Sequence, residues 1–268
     1  MATKTTANNE STAGEGTANS ANTASENNAI NERTANAIAA GNTGNSASEN
    51  TSGGGASENT SDIPLIKADN LAFSYSEESP LLANISFAIR RGEKVAIIGD
   101  SGVGKTTLFH LLLNLYPVSR GSLSLNGVPY AKADVLEHIT ANTQKNYIFN
   151  LGLRANFQKL VPNITDEAIL RSLHLAQLNP VVAKIGLDKE LGINGKALSG
   201  GERIRLLTAL ALASDREIIL LDEPTAGLDR PTAKRMLSAI LDEYSEKTII
   251  LITHDSFAAD YMERVIKL

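Results

Sequence analysis

The apolar positions divide the chain into two unequal parts. Residues 1–62 are mostly Ala, Asn, Thr, Ser, Glu and Gly, with no aromatic residue and only Met1, Ile30 and Ile38 as larger aliphatic ones. Such a stretch cannot bury enough apolar surface to offset its ordering entropy, and is expected to be a disordered polar tail. Within it Ala47–Ser52 recurs at Ala56–Ser61 around Gly53-Gly54-Gly55, a linker pattern far shorter than a solenoid repeat. From about residue 63 the pattern becomes that of a folded domain. Residues 65–75 and 84–90 alternate as strands do, with a turn around Glu77–Pro80. Val95–Ile98 and the runs within Glu217–Asp222 and Thr248–Ile252 are continuously apolar, as strands buried on both faces of a parallel sheet are. Gly121–Asn126 alternates and turns at Asn126-Gly127.

Helical spacing appears at Lys105–Leu115, terminated by Pro117, and at Asp166–Leu178, with Thr165 as N-cap. It returns at Gly200–Ala213, Arg230–Tyr244 and Ser256–Met262. The stretch from Phe149 to Ala197 reads as a mostly helical insertion between strands. The organisation expected is a tail at 1–62 and one domain at 63–268, with a helical part at about 149–213. Strands alternating with helices predict an α/β fold with a mainly parallel sheet.

Charge follows the same division. The tail holds two basic and seven acidic residues, whereas the remainder holds 23 of each and is neutral. A neutral domain behind an acidic tail gives no support for binding nucleic acid. There is no cysteine, which excludes disulfides and cysteine-ligated metals. The N-terminus lacks the basic and apolar regions of a secretory signal. No apolar run approaches the ~20 residues needed to cross a bilayer. A role at a membrane would therefore require a spanning part supplied by another chain.

Three strings carry chemistry. Gly99-Asp100-Ser101-Gly102-Val103-Gly104-Lys105-Thr106 lies between a buried strand and a helix. Its glycines let backbone N–H groups turn inward around phosphates, the helix start adds its positive end, Lys105 adds a charge, and the Thr106 hydroxyl can ligate Mg²⁺. Asp222 and Glu223 emerge where the run Ile218–Leu221 ends. An isolated acidic pair there is usually solvated surface, but beside Lys105 the pair suits a metal ligand and a group that orients water. Leu198-Ser199-Gly200-Gly201-Glu202 forms a second helix start able to meet an anion. One phosphate chain does not need two such sites in a single subunit.

In this order the three strings resemble the ATP-binding cassette family of ATPases, and the resemblance covers about residues 65–268. It implies a P-loop NTPase with a mainly parallel core sheet, an antiparallel β subdomain and a helical signature subdomain. It implies that residues Gly99, Asp100, Ser101, Gly102, Val103, Gly104, Lys105, Thr106 and Thr107 hold ATP, with Tyr75 against the adenine. Mg²⁺ would be held by Thr106, Gln144 and Asp222. Glu223 would position water, His254 would sense the γ-phosphate, and Lys105 and Gln144 would complete the catalytic set. Ser199, Gly200, Gly201 and Glu202 would serve the nucleotide of a second cassette. Asp229, in Gly227-Leu228-Asp229, would join the two sites across a head-to-tail homo- or heterodimer.

The stretch Leu191–Ala197, the spacing from Lys105 to Gln144, and Asn150–Phe157 resemble exporter-type cassettes, with the thiol exporters linked to cytochrome bd assembly as candidate relatives. His254-Asp255 is commoner among importers, and the balance favours an exporter. Exporter cassettes usually follow a transmembrane domain in the same chain, whereas a polar tail stands here. The expectation is an ATPase subunit on the cytoplasmic face of the membrane, docked on a separate transmembrane permease. A remnant of a split gene that binds ATP without transport, and a soluble cassette ATPase acting in assembly of another complex, are the alternatives.

Overall fold

The structure, a computed structural model, describes residues 63–75, 80–142 and 147–268. The tail at 1–62, residues 77–79 of the expected first turn and Gln144 lie outside the described residues. The two alternating segments form β1 (Ile66–Phe73) and β2 (Leu82–Ile89). The apolar run that follows is β3 (Lys94–Ile98), and the glycine loop leads from it into α1 (Lys105–Leu112). Next come β4 (Arg120–Leu125) and the two-residue β5 (Val128–Pro129). Asn126 and Gly127 between them have φ of 52° and 77°. A two-residue hairpin needs such a left-handed pair to match the strand twist, and Asn-Gly accepts it readily. Strands β1, β2, β4 and β5 make an antiparallel sheet of order β2-β1-β4-β5.

A short helix, α2 (Val135–His138), enters β6 (Ile139–Asn142). The helical stretch contains α3 (Leu153–Leu160), α4 (Asp166–Leu175) and α5 (Asn179–Ile185), followed by α6 (Gly200–Leu212). The chain then alternates β7 (Ile218–Asp222), α7 (Arg230–Glu243), β8 (Thr248–Thr253), α8 (Ser256–Ala259) and β9 (Arg264–Lys267). Five strands form a second sheet, parallel throughout, of order β6-β7-β8-β3-β9.

Alternation within the buried strands assigns each to two cores. Ile97, Leu220, Ile250 and Ile252 join α1 and the antiparallel sheet. Ala96, Ile219, Leu221, Ile249 and Leu251 pack against α7 and α8. A third cluster unites α3, α4 and α5 with Leu206, Leu207 and Leu210 of α6, while Leu212 of the same helix packs in the α7 core. Helix α6 therefore ties the helical part to the parallel sheet.

Several boundaries differ from the expected ones. Helix α1 stops before Pro117 because Asn114 turns left-handed, with φ of 56°. The N–H groups of Asn114 and Leu115 then close on the carbonyls of Leu111 and His110, each at 2.9 Å. A left-handed asparagine at a helix end is an established stop signal. Helix α4 likewise ends at Leu175, just before Gln177 at φ 58°. Thr165 does cap it, accepting from the Ala168 N–H at 3.3 Å.

Candidate functional site

Strands β7, β8 and β3 are neighbours in register, with Asp222 opposite Ile252 and Ile98 opposite Thr253. Whatever follows these strands must emerge at one edge of the sheet, the carboxyl edge where parallel α/β sheets receive ligands. There Ser101, Gly102, Gly104, Lys105, Thr106, Thr107, Asp222, Glu223 and His254, with Leu81, line a hollow of about 500 Å³.

The loop side of this hollow is an open helix start. Gly104 is the N-cap of α1 at φ 105°, no side chain caps the helix, and its first turn holds no acidic residue. A Cβ at Gly104 would come within 2.5 Å of Leu82 Cδ2, so both conformation and space require glycine. The uncapped N–H groups and the positive helix end thus face the hollow. The Val103 N–H reaches the Asp100 carbonyl at 3.4 Å, and Gly99 packs under Val103. Lys105 Nζ lies across the loop, donating to the carbonyls of Gly99 at 2.7 Å and Asp100 at 2.8 Å. This cradle suits a concentrated anion.

The opposite side is acidic. Burial, assisted by the neighbouring Glu223 and opposed by Lys105, pushes the Asp222 carboxyl up to about 6. Among the described residues no group of three or more His, Cys, Asp or Glu side chains could hold a metal by itself. Asp222 and the Thr106 hydroxyl offer only sparse oxygen donors. Mg²⁺ fits such a set, because it keeps several waters and completes its shell with substrate phosphates.

Glu223 is buried, 8% exposed, and stands at φ 48° just beyond β7. A left-handed residue other than glycine costs roughly 1–2 kcal/mol, so tertiary contacts must hold it there. Its N–H donates to the Ile252 carbonyl at 2.8 Å. Its carboxylate accepts from the Thr253 hydroxyl at 3.1 Å and the His254 N–H at 3.0 Å. His254 Nδ1 lies 2.6 Å from Glu223 Oε1. An ionised carboxylate can only accept, so the proton of this contact sits on Nδ1, leaving Nε2 available to a ligand. The His254 side chain is 70% exposed.

Tyr75 stands beside this hollow rather than in its wall. Its hydroxyl is 3.1 Å from Thr107 Oγ1, and its ring meets Phe73 and Tyr116 edge-on. The residue is 61% exposed. The second helix start is built differently and lies outside the hollow. Ser199 Oγ accepts from the Glu202 N–H at 3.3 Å, and Glu202 returns the bond to the Ser199 N–H at 2.8 Å. The Ser199 N–H holds the Glu202 carboxyl below its usual range. A Cβ at Gly200 would meet nothing within 4 Å, whereas one at Gly201 would lie 3.3 Å from Leu228. Asp229 caps α7, accepting from the Thr232 N–H at 2.9 Å, which lowers its carboxyl. The α6 start and the turn before Asp229 therefore share one surface, with a pocket lined by Gly200, Arg203, Ile204, Leu207 and Ala226. Sequence reading passed over Leu81, Thr253 and Asn142. Thr253 left one signal, a polar residue closing an apolar run next to His254.

Residues 82–226 match the family described as ABC transporter. Over 210 residues the chain is 37% identical to the glutathione/L-cysteine transport system ATP-binding/permease protein CydC of Haemophilus influenzae, covering 76% of this chain and 36% of that protein. It is 33% identical over 217 residues to the transport/processing ATP-binding protein ComA of Streptococcus pneumoniae, covering 77% and 30%. A bacterial Atm1-family ABC exporter solved with ATP bound superposes with a TM-score of 0.73 at 27% identity, covering 78% of this chain and 38% of that one. The chain spans about a third of the length of these curated relatives.

Proposed function

The chain belongs to the ABC transporter family, and from that premise we propose that it is the ATP-binding and ATP-hydrolysing domain of an exporter-type transporter, paired head to tail with a second cassette. We place the cassette at 63–268, with its helical part at about 149–213. One observation carries the reading: an uncapped helix start, a lysine and two acids in unlike surroundings meet at a single hollow. Backbone N–H groups from Gly99 to Thr107, with Lys105, grip the phosphates, and Tyr75 presents its ring to the adenine. Thr106, Asp222 and Gln144 would hold Mg²⁺, which would supply charge neutralisation to the phosphates. Glu223 positions the attacking water. A carboxylate offers about four acceptor sites, and Thr253 and His254 already occupy three, two on Oε1 and one on Oε2. The remaining site on Oε2 is thereby aimed, and catalysis relies on that aim more than on proton affinity. His254 offers Nε2 to the γ-phosphate.

The α6 start supports the second-cassette part of the proposal. It lies away from the hollow, and the space beside Gly200 leaves its backbone open to approach. An ATP gripped by one loop and met by the other cassette's Ser199–Glu202 corner favours the closed pair, because neither chain alone makes both sets of contacts. Hydrolysis removes the γ-phosphate contacts at Ser199 and His254, and the pair opens. Gln144 and residues 149–157 would pass this motion to a membrane-spanning partner on the cytoplasmic face. Among the described residues no helix is long and apolar enough to cross a membrane. CydC is described as ATP-binding and permease protein in one, so a spanning part within a longer polypeptide is the second reading. Identifying what co-purifies from detergent-solubilised membranes separates the two.

Glu223→Gln tests the chemistry. It should keep ATP binding, slow phosphate release at least about 100-fold, and trap an ATP-bound pair visible by size-exclusion chromatography. Phosphate release at the unaltered rate would remove Glu223 from its role.

A further inference from the structure

Strand β6 lies beside β7 in the parallel sheet. Its last residue, Asn142, pairs with Leu221, while β7 continues to Asp222. N–H groups of a strand alternate between its two neighbours. The Glu223 N–H goes to Ile252 of β8, so the Asp222 N–H faces the β6 side. The Asn142 side chain meets it there, with Oδ1 accepting from the Asp222 N–H at 2.8 Å. Its other end reaches α6, where Nδ2 donates to Thr208 Oγ1 at 2.9 Å, and that hydroxyl donates on to the Ile204 carbonyl at 3.1 Å. Two residues earlier in β6, Thr140 Oγ1 donates to the Ala211 carbonyl at 2.9 Å. Thr140, Asn142 and Thr208 are 0%, 1% and 0% exposed. A buried carboxamide is tolerated when both its ends are satisfied, and it is rigid enough to transmit a displacement.

We propose that Asn142 is a positioning residue that carries the position of α6 to Asp222. The proposal rests on the ATPase reading, in which Asp222 is a Mg²⁺ ligand and the start of α6 meets the second cassette's nucleotide. A shift of α6 pulls on Thr208, and the carboxamide passes it to the main chain of the acid. The metal site of one cassette then responds to whether its own signature helix is engaged.

The test uses the full chain loaded with ADP, with Mn²⁺ as the probe and its affinity read by electron paramagnetic resonance. Asn142→Leu should weaken Mn²⁺ binding about tenfold, as loss of a metal ligand's outer partner does. Thr208→Val, which leaves the Asp222 bond in place, should weaken it about threefold, and Thr208→Ser should restore it. The double variant should bind no more weakly than Asn142→Leu, because both changes cut one path. ADP affinity without metal should stay unchanged throughout. Should Asn142→Leu fail to fold, the two Thr208 variants carry the test. Equal Mn²⁺ affinity in Thr208→Val and the unaltered chain would overturn the proposal, as would effects that multiply fully in the double variant. A fall in melting temperature with unchanged Mn²⁺ affinity would reduce Asn142 to a structural part. Failure of the unaltered chain to bind ADP at all would instead bring down the ATPase reading beneath it.

Discussion

Helices α1 and α6 both start at glycine-rich turns, yet their first turns are satisfied in opposite ways. At α1 the N-cap is a left-handed glycine, no side chain accepts from the first N–H groups, and the first turn holds no acidic residue. At α6 Ser199 and Glu202 cap each other reciprocally. Orphan N–H groups and a helix dipole need a negative partner. The α1 start leaves that need to a ligand, and Lys105 deepens it. The α6 start meets much of the need internally, so it is stable alone and has only a remainder to offer a visitor. A helix start left open needs a ligand to satisfy it, whereas one already capped is stable without a visitor.

Four changes break or sharpen this contrast. Lys105→Ala should weaken ATP binding about 100-fold, roughly 3 kcal/mol, measured by titration calorimetry. Unchanged affinity would mean that the α1 start is not where nucleotide sits. Asp222→Asn probes the acid facing that open end. Its folded carboxyl titrates at about 6 against an ordinary 3.8, so the folded chain holds the proton more tightly. The unaltered chain should therefore lose stability as pH rises through that window, and the loss is complete above it. Denaturant unfolding without divalent ions should find the variant more stable by about 2–3 kcal/mol at pH 7 and equal to the unaltered chain near pH 3.

Ser199→Ala removes the cap at α6 and should cost about 1 kcal/mol in thermal unfolding. ATP affinity of the dilute single chain should be unchanged while turnover falls. A matching loss of single-chain affinity would place Ser199 on its own nucleotide and erase the contrast. Gly200→Ala is the gentlest. A methyl there meets nothing within 4 Å and should change stability by no more than a few tenths of a kcal/mol. On the proposed pairing turnover should still drop, because the methyl would occupy the space proposed for the other cassette's ligand. Full turnover would deny that space its purpose.

Residues 99–106, the Asp222–Glu223 pair and the α/β alternation were legible because each is a local pattern, glycines at fixed spacing or an apolar run of strand length. The Asn126-Gly127 hairpin and the Thr165 cap were legible for the same reason, since side chain and backbone settle them within a few residues. The end of α1 was not, because Leu113 and Leu115 prolong helical spacing past an asparagine that turns left-handed. Strand β6 was missed because four residues show no period.

The amino-acid sequence by itself determined most of the strands and helices, β6 excepted, and which residues could meet a phosphate. Tertiary structure alone decided that Asn142 reaches Asp222 and Thr208, and that Thr253 and His254 clasp Glu223. Those meetings follow from the order β6-β7-β8-β3, which brings together residues from about 30 to 80 positions apart in the chain. Local preference cannot express strand order, which the packing of both faces of the sheet selects.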